Sequence, residues 1–130
     1  MKTLAIIVPC FNEAAVLDTF IKTVNQKTEQ LALIKKFVLV NDGSSDDTLA
    51  IIKSLSETFP NVFYLSFSRN FGKEAAILAG LAACDADFFT IMDADLQDPP
   101  ELLVEMYATM LANQYDVVGC RRVSLKGEPV

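Results

Sequence analysis

Residues 4–13 read Leu4-Ala5-Ile6-Ile7-Val8-Pro9-Cys10-Phe11-Asn12-Glu13. The first five are apolar with no polar alternation, so the strand they predict has no side reserved for solvent. A strand apolar on both faces belongs to a parallel sheet covered by helices. The run stops at Pro9 and meets Asn12 and Glu13, which makes its carboxyl end polar. The design recurs: Phe37–Val40, Val62–Phe67, Phe88–Met92 and Asp116–Gly119 are further predicted strands. Helical periods are predicted between them, over about 13–29, 46–58, 73–84 and 100–113. Ile51, Ile52, Leu55 and Phe59 form one apolar helix face at 3-4 spacing, as do Leu102, Leu103, Met106 and Met110. Strand and helix alternating four times predict an α/β fold with an open, mainly parallel sheet and right-handed crossovers.

Composition limits what such a fold can do. The chain has 130 residues, enough for one domain, and 52% of them are apolar, enough for a core. Lys and Arg number 11 against 17 Asp and Glu, a net charge of −6 that argues against nucleic-acid binding. Histidine is absent, so a Ser-His triad and a histidine-ligated zinc site are excluded within these residues. Cys10, Cys84 and Cys120 have no C-x-x-C spacing and read as reduced core residues in a cytosolic setting. Lys2 followed by Leu4–Val8 imitates the start of a signal peptide, but Pro9 and Asn12 end the run too early. No apolar stretch approaches the roughly 18 residues that cross a bilayer, so the chain is expected to be soluble.

Helix starts are marked by polar residues. Asp98-Pro99-Pro100-Glu101 has the arrangement of a capping box with proline in the first turn, and Ser45-Asp46-Asp47 offers a hydroxyl and two acids at the next helix start. The chain stops at Lys126-Gly127-Glu128-Pro129-Val130, soon after the fifth predicted strand, so it is expected to be an N-terminal domain of a longer protein.

Ligands of open α/β sheets bind beyond the carboxyl ends of the strands, where the strand order reverses. Polar groups collect at four such ends: Pro9, Phe11, Asn12 and Glu13; Asn41, Asp42, Gly43 and Ser44; Ser68, Arg69, Asn70, Gly72 and Lys73; and Asp93, Ala94, Asp95 and Gln97. A sheet order of 3-2-1-4 would set Glu13 across a crevice from Asp93 and Asp95. Residues two apart in extended chain point to one side, so Asp93 and Asp95 can share one hard cation such as Mg2+ or Mn2+ together with phosphates. They can equally be two solvated loop acids. Asp42 reads either as the acid of an Asx turn or as an acceptor for a base or ribose. Glu13 either favours a helix start or lines the site, and Arg69 and Lys73 are either solvated or phosphate-facing. Neither G-x-G-x-x-G nor G-x-x-x-x-G-K-[ST] occurs, so diphosphate charge would fall to a metal and to basic side chains, with Lys73 and Arg121 available.

Five ordered blocks carry a resemblance: Ile6–Glu13, Val40–Asp46, Arg69–Lys73, Met92–Pro100 and Gly119-Cys120-Arg121. Together they resemble glycosyltransferase family 2, and within it the polyprenyl-phosphate glycosyltransferases of the bactoprenol glucosyltransferase and dolichol-phosphate mannose synthase type. The resemblance implies a Rossmann-like GT-A nucleotide-sugar domain over residues 1–130, with helices on both faces of the sheet. It implies inverting, metal-dependent transfer of a hexose from a nucleotide-sugar, a UDP-sugar favoured, to a polyprenyl phosphate.

Residue by residue, Pro9, Phe11 and Glu13 match the segment that contacts base and ribose, and Val40 and Asp42 the segment that recognises the base. Asp93, Ala94 and Asp95 match the D-x-D motif, with Asp95 the metal ligand in first place, Asp93 beside it and Gln97 just beyond. Arg69 and Lys73 belong to the nucleotide-sugar set, and Arg121 falls where relatives place an arginine near phosphate. The general base, acceptor contacts and membrane helices of relatives lie beyond residue 130. The full-length protein is therefore expected at the cytoplasmic face of the membrane, while this stretch alone is expected to be soluble and poorly active or inactive. A polysaccharide or lipid-sugar acceptor, or a non-catalytic nucleotide-binding module, are the competing expectations.

Overall fold

A computed structural model describes residues 1–119. The elements run β1 (Thr3–Cys10), α1 (Leu17–Lys27), β2 (Ile34–Asn41), α2 (Thr48–Thr58), β3 (Val62–Ser66), α3 (Lys73–Ala83), β4 (Phe88–Ile91) and α4 (Glu101–Asn113). The strands form one sheet in the order β3-β2-β1-β4, and every neighbouring pair is parallel. The chain steps outward from β1 to β3 and then returns to the far side of β1. The reversal therefore lies between β1 and β4, and the order is the one that sets Glu13 across from Asp93 and Asp95.

β1 is the centre of the core because it has a neighbour on each side. Its side chains divide by parity. Leu4, Ile6, Val8 and Cys10 face α1, α2 and α4, packing with Phe20, Ile21, Ile52, Leu55 and Leu103. Ala5 and Ile7 face α3, packing with Val38, Val40 and Ala76. Burying each such Ile or Val side chain contributes about 1.5–3 kcal/mol. Phe20 and Phe37 meet edge to face at 6.0 Å across the first layer. On the second face α3 approaches closely because Gly80 has no side chain: a Cβ there would stand 2.6 Å from Ile7 Cγ2.

Three expectations are corrected. Residues 116–119 form no strand; a strand needs a ladder partner, and among the described residues none pairs with this stretch. Val117 there is 86% exposed. β4 is not buried on both faces either, since it pairs only with β1 among the described residues and α3 lies over β1 and β2. Phe89 and Ile91 consequently remain 44% and 48% exposed. Thirdly, α1 begins at Leu17 rather than near residue 13, after a turn in which the Val16 and Leu17 N–H groups both donate to the Glu13 carbonyl.

Capping is only partly as expected. The N-cap residues of α2 and α4, Asp47 and Pro100, make no side-chain cap bond, and at α2 it is Asp46, one residue earlier, that accepts the Thr48 N–H at 2.9 Å. Cys10 and Cys84 are free thiols, Cys10 buried and Cys84 partly so, while Cys120 lies outside the described residues. Among the described residues no helix is long and apolar enough to cross a membrane.

Candidate active site

Four parallel strands place four loops at one edge of the sheet, and each loop contains one residue with a left-handed backbone. These are Asn12 (φ 52°) after β1, Gly43 (φ 67°) after β2, Gly72 (φ 104°) after β3 and Leu96 (φ 60°) after β4. Asparagine and glycine adopt this conformation readily; leucine does so at a cost of order 1–3 kcal/mol, which the surrounding packing must offset. The sharp turns keep each loop short and fold it back over the strand ends.

Side chains then tie the loops to one another. Asn12 Oδ1 accepts the Ser45 N–H at 2.9 Å, and the Asn12 N–H donates to Ser44 Oγ at 3.0 Å, joining the β1 and β2 loops. The Glu13 N–H donates to Thr48 Oγ1 at 2.9 Å. Asp42, only 3% exposed, joins the β2 and β3 loops. Its carboxylate accepts the Phe71 N–H at 2.8 Å, the Gly72 N–H at 3.1 Å and Asn70 Nδ2 at 3.0 Å. The two loops touch so closely that a Cβ on Gly43 would lie 2.2 Å from the Arg69 carbonyl carbon.

Within this frame lies a cleft of about 270 Å3 lined by Pro9, Cys10, Phe11, Glu13, Asp42, Lys73, Asp93 and Asp95. Seven of these eight are residues that the sequence singled out for the site. Lys73 Nζ stands 2.8 Å from Asp93 Oδ1, and both side chains are about half exposed. Asp95 Oδ1 accepts the Gln97 N–H at 3.2 Å. Ala94, between the two acids, is buried in the core layer of α1, α2 and α4. Asp93 and Asp95 thus face the cleft while the residue between them anchors the loop.

The other expected residues sit elsewhere. Val40 is buried against α3, with its side chain away from the cleft. Arg69 stacks on Phe71, its guanidinium carbon 4.5 Å from the ring centre, and Gln97 is exposed. Neither Arg69 nor Gln97 lines the cleft. Arg121 lies outside the described residues.

The sequence names Asn12 and Asn70 among the polar groups at the strand ends but does not show that they tie the loops together. Asn12 and Asn70 stand in the quoted blocks, and asparagine's tolerance of left-handed backbone and its two-sided amide were the available signals. Nor does the sequence mark Cys10 as a wall of the cleft.

Electrostatics mark the cleft as acidic. Partial burial, and then the negative charges of Asp95, Asp93 and Asp46, push the Glu13 carboxyl above the usual glutamate range. Burial, followed by the charge of Glu13, pushes the Cys10 thiol up to about 12, so Cys10 stays protonated and is no nucleophile. Hydrogen bonds from Thr48 hold Asp46 below the usual aspartate range.

Carboxylate oxygens gathered in this way fit a hard divalent cation, and the Lys73 ammonium on Asp93 marks a position at which positive charge is already held. Among the described residues, no group of three or more acid, cysteine or histidine side chains forms a metal cage by itself. Asp93 and Asp95 are the residues that would hold such a cation; Mg2+ typically takes one or two carboxylates and completes its shell with water and substrate phosphates.

The family model for glycosyl transferase family 2 matches residues 5–130. The chain belongs to glycosyl transferase family 2. It is 43% identical over 100 residues to the prophage bactoprenol glucosyl transferase homolog of Escherichia coli (strain K12), covering 77% of this chain and 33% of that protein. It is 38% identical over 124 residues to the undecaprenyl-phosphate 4-deoxy-4-formamido-L-arabinose transferase of Pseudomonas syringae pv. syringae (strain B728a), covering 94% of this chain and 36% of the relative. The chain thus spans about a third of the length of the curated relatives it matches.

The mannosyltransferase PcManGT from Pyrobaculum calidifontis, solved in complex with GDP-Man and Mn2+, superposes with a TM-score of 0.72 at 22% identity, over 85% of this chain and 32% of that one. At that identity the likeness establishes the fold, the GT-A form of the α/β sheet. The expected family and fold are therefore both borne out.

Proposed function

We propose that this family 2 chain is the donor-binding and metal-binding part of an inverting polyprenyl-phosphate glycosyltransferase, which moves a hexose from a nucleotide-sugar to the phosphate of a polyprenyl carrier. The observation that carries the reading is the meeting of Glu13, Asp42, Lys73, Asp93 and Asp95 in one cleft at the β1–β4 reversal. Support for the acceptor comes from the bactoprenol and undecaprenyl-phosphate relatives. The neighbour solved with GDP-Man and Mn2+ supports a nucleotide-sugar and a divalent cation. A UDP-sugar is the donor we favour.

Each side chain has a defined task in this reading. Pro9, Phe11 and Glu13 border the base and ribose, and Asp42 lies at the foot of the same pocket, where it also holds the β3–α3 loop. Asp95, with Asp93, would hold Mg2+ or Mn2+, which would supply neutralisation of the negative charge that builds on the departing diphosphate. Lys73 adds a second positive group on the other wall of the cleft, and Arg121 is assigned to the phosphates. Preorganised charge and positioning, rather than covalent chemistry, lower the barrier.

The acceptor oxygen attacks the anomeric carbon opposite the leaving diphosphate, which inverts its configuration. A phosphate acceptor is already anionic, so it needs little help from a base. The base, if one acts, is assigned outside these residues, as are the membrane contacts that would hold the whole protein at the cytoplasmic face.

The test is transfer by the full-length protein. Labelled hexose from a UDP-sugar should appear on an added polyprenyl phosphate with inverted anomeric configuration, and EDTA should stop it. Retained configuration, or transfer indifferent to EDTA, would contradict the reading.

A further inference from the structure

We propose that Lys73 is a built-in cation that neutralises Asp93 while the donor is absent and passes to the diphosphate when donor and divalent cation arrive, so that it couples the two binding events. This inference rests on the donor and metal reading above and adds a role that the reading does not require.

The position of Lys73 is unusual for a lysine. It is the first residue of α3, directly after Gly72. Helix dipoles place partial positive charge at that end, so a cation is disfavoured there and an acid is preferred. Glu74, the next residue, is the kind of side chain that a helix start favours. What compensates Lys73 is Asp93, twenty positions away on the β4 loop and 2.8 Å from its ammonium. Lys73 is thus placed to serve the cleft rather than its own helix.

Its backbone is fixed while its side chain can swing. The Asp42 carboxylate accepts the N–H groups of Phe71 and Gly72, and Gly43 lets the two loops meet backbone to backbone. The start of α3 is therefore pinned, whereas the lysine stem has four rotatable methylenes and its side chain is 59% exposed. An ion pair this open to water is weak and readily exchanged.

Its surroundings supply the alternative partners. The cleft around Asp93 is also lined by Glu13, Asp42 and Asp95, and among the described residues Lys73 is the one positive group that lines it. A metal ion entering the donor-free cleft must displace Lys73 from Asp93 and then remain near its charge. A nucleoside diphosphate offers the ammonium new oxygens, which frees Asp93. Metal and nucleotide each therefore bind better in the presence of the other, and the coupling is reciprocal.

The experiment is Mn2+ binding to the full chain, followed by electron paramagnetic resonance with and without UDP, for wild type, Lys73→Gln, Lys73→Met and Lys73→Arg. Lys73→Gln and Lys73→Met should bind Mn2+ alone roughly three- to tenfold more tightly than wild type, because a competing charge is gone. UDP should then raise their Mn2+ affinity by a correspondingly smaller factor, while Lys73→Arg should behave as wild type. Unchanged or weaker Mn2+ binding by both neutral variants, with the effect of UDP intact, would reduce Lys73 to a surface ion pair and overturn the proposal. Wild-type protein that takes up no Mn2+ even with UDP would overturn the metal reading as well, a result separable from the first because it does not depend on the variants.

Discussion

The carboxylate of Asp42 accepts the backbone N–H of Phe71 at 2.8 Å. This one bond links the end of β2 to the loop that starts α3, and through it the acid that ends one strand sets where Lys73 stands relative to Asp93. Asp42 therefore has a structural task whether or not a base is bound beside it.

Asp42→Ala leaves the Phe71 and Gly72 N–H groups without their acceptor. It should destabilise the protein by about 1–2 kcal/mol, read from urea denaturation, because bonds to a buried charged acceptor are lost while the freed donors, at the exposed Phe71 and the half-buried Gly72, can still meet water. Asp42→Asn keeps one acceptor oxygen and should lose less. Wild-type stability in the alanine variant would mean that the loop is held by other contacts.

Gly43 gives a stricter test of loop packing. A Cβ there would meet the Arg69 carbonyl carbon at 2.2 Å and the Asn70 nitrogen at 2.3 Å, both backbone atoms, on a residue with φ of 67°. Gly43→Ala should therefore cost roughly 2–4 kcal/mol, seen as a lowered thermal midpoint, and should weaken nucleotide binding with it. A midpoint equal to wild type would refute the close approach of the two loops.

The Glu13 carboxyl predicts a pH dependence. Its folded-state proton affinity is raised, by burial first and then by Asp95, Asp93 and Asp46. A raised value means that ionising Glu13 costs stability, a cost that is present at neutral pH and absent below the unfolded-state value of about 4.3. Glu13→Gln should accordingly raise the thermal midpoint at pH 7 relative to wild type, and the gain should shrink towards pH 4. A gain that is constant with pH would show that charge is not its origin.

Asp95 separates binding from folding. It is exposed, and its carboxylate accepts the Gln97 N–H within its own loop. Asp95→Asn should shift the free energy of unfolding by no more than about 0.5 kcal/mol, as surface substitutions usually do. The same variant should lose most of its Mn2+ binding in the presence of nucleotide. A large loss of stability would assign Asp95 to the fold instead.

Much of this arrangement is legible in the residues. The unbroken apolar run of β1 marks a strand with neighbours on both sides, and the polar residues that end each strand mark the edge of the sheet where the cleft lies. Spacing alone puts Asp93 and Asp95 on one side and Ala94 on the other. Other features depend on neighbours that no local pattern encodes. Phe89 and Ile91 look like core residues, yet their burial depends on what covers the β4 edge. Asp116–Gly119 has the composition of a strand, yet a strand exists only with a ladder partner. Asp42 was open between a local turn and a ligand acceptor. Its bonds to Asn70, Phe71 and Gly72 reach about thirty residues along the chain, beyond any sequence window.

The central claim is that acids at the β1–β4 reversal hold a cation which in turn holds a nucleoside diphosphate. Titration calorimetry of UDP into the protein, with and without Mn2+, for wild type and Asp95→Ala, tests it most directly. The account predicts that Mn2+ tightens UDP binding to wild type by about tenfold or more, a coupling of roughly 1.4 kcal/mol, and that Asp95→Ala removes the difference. UDP affinity unaffected by both the metal and the substitution would contradict it.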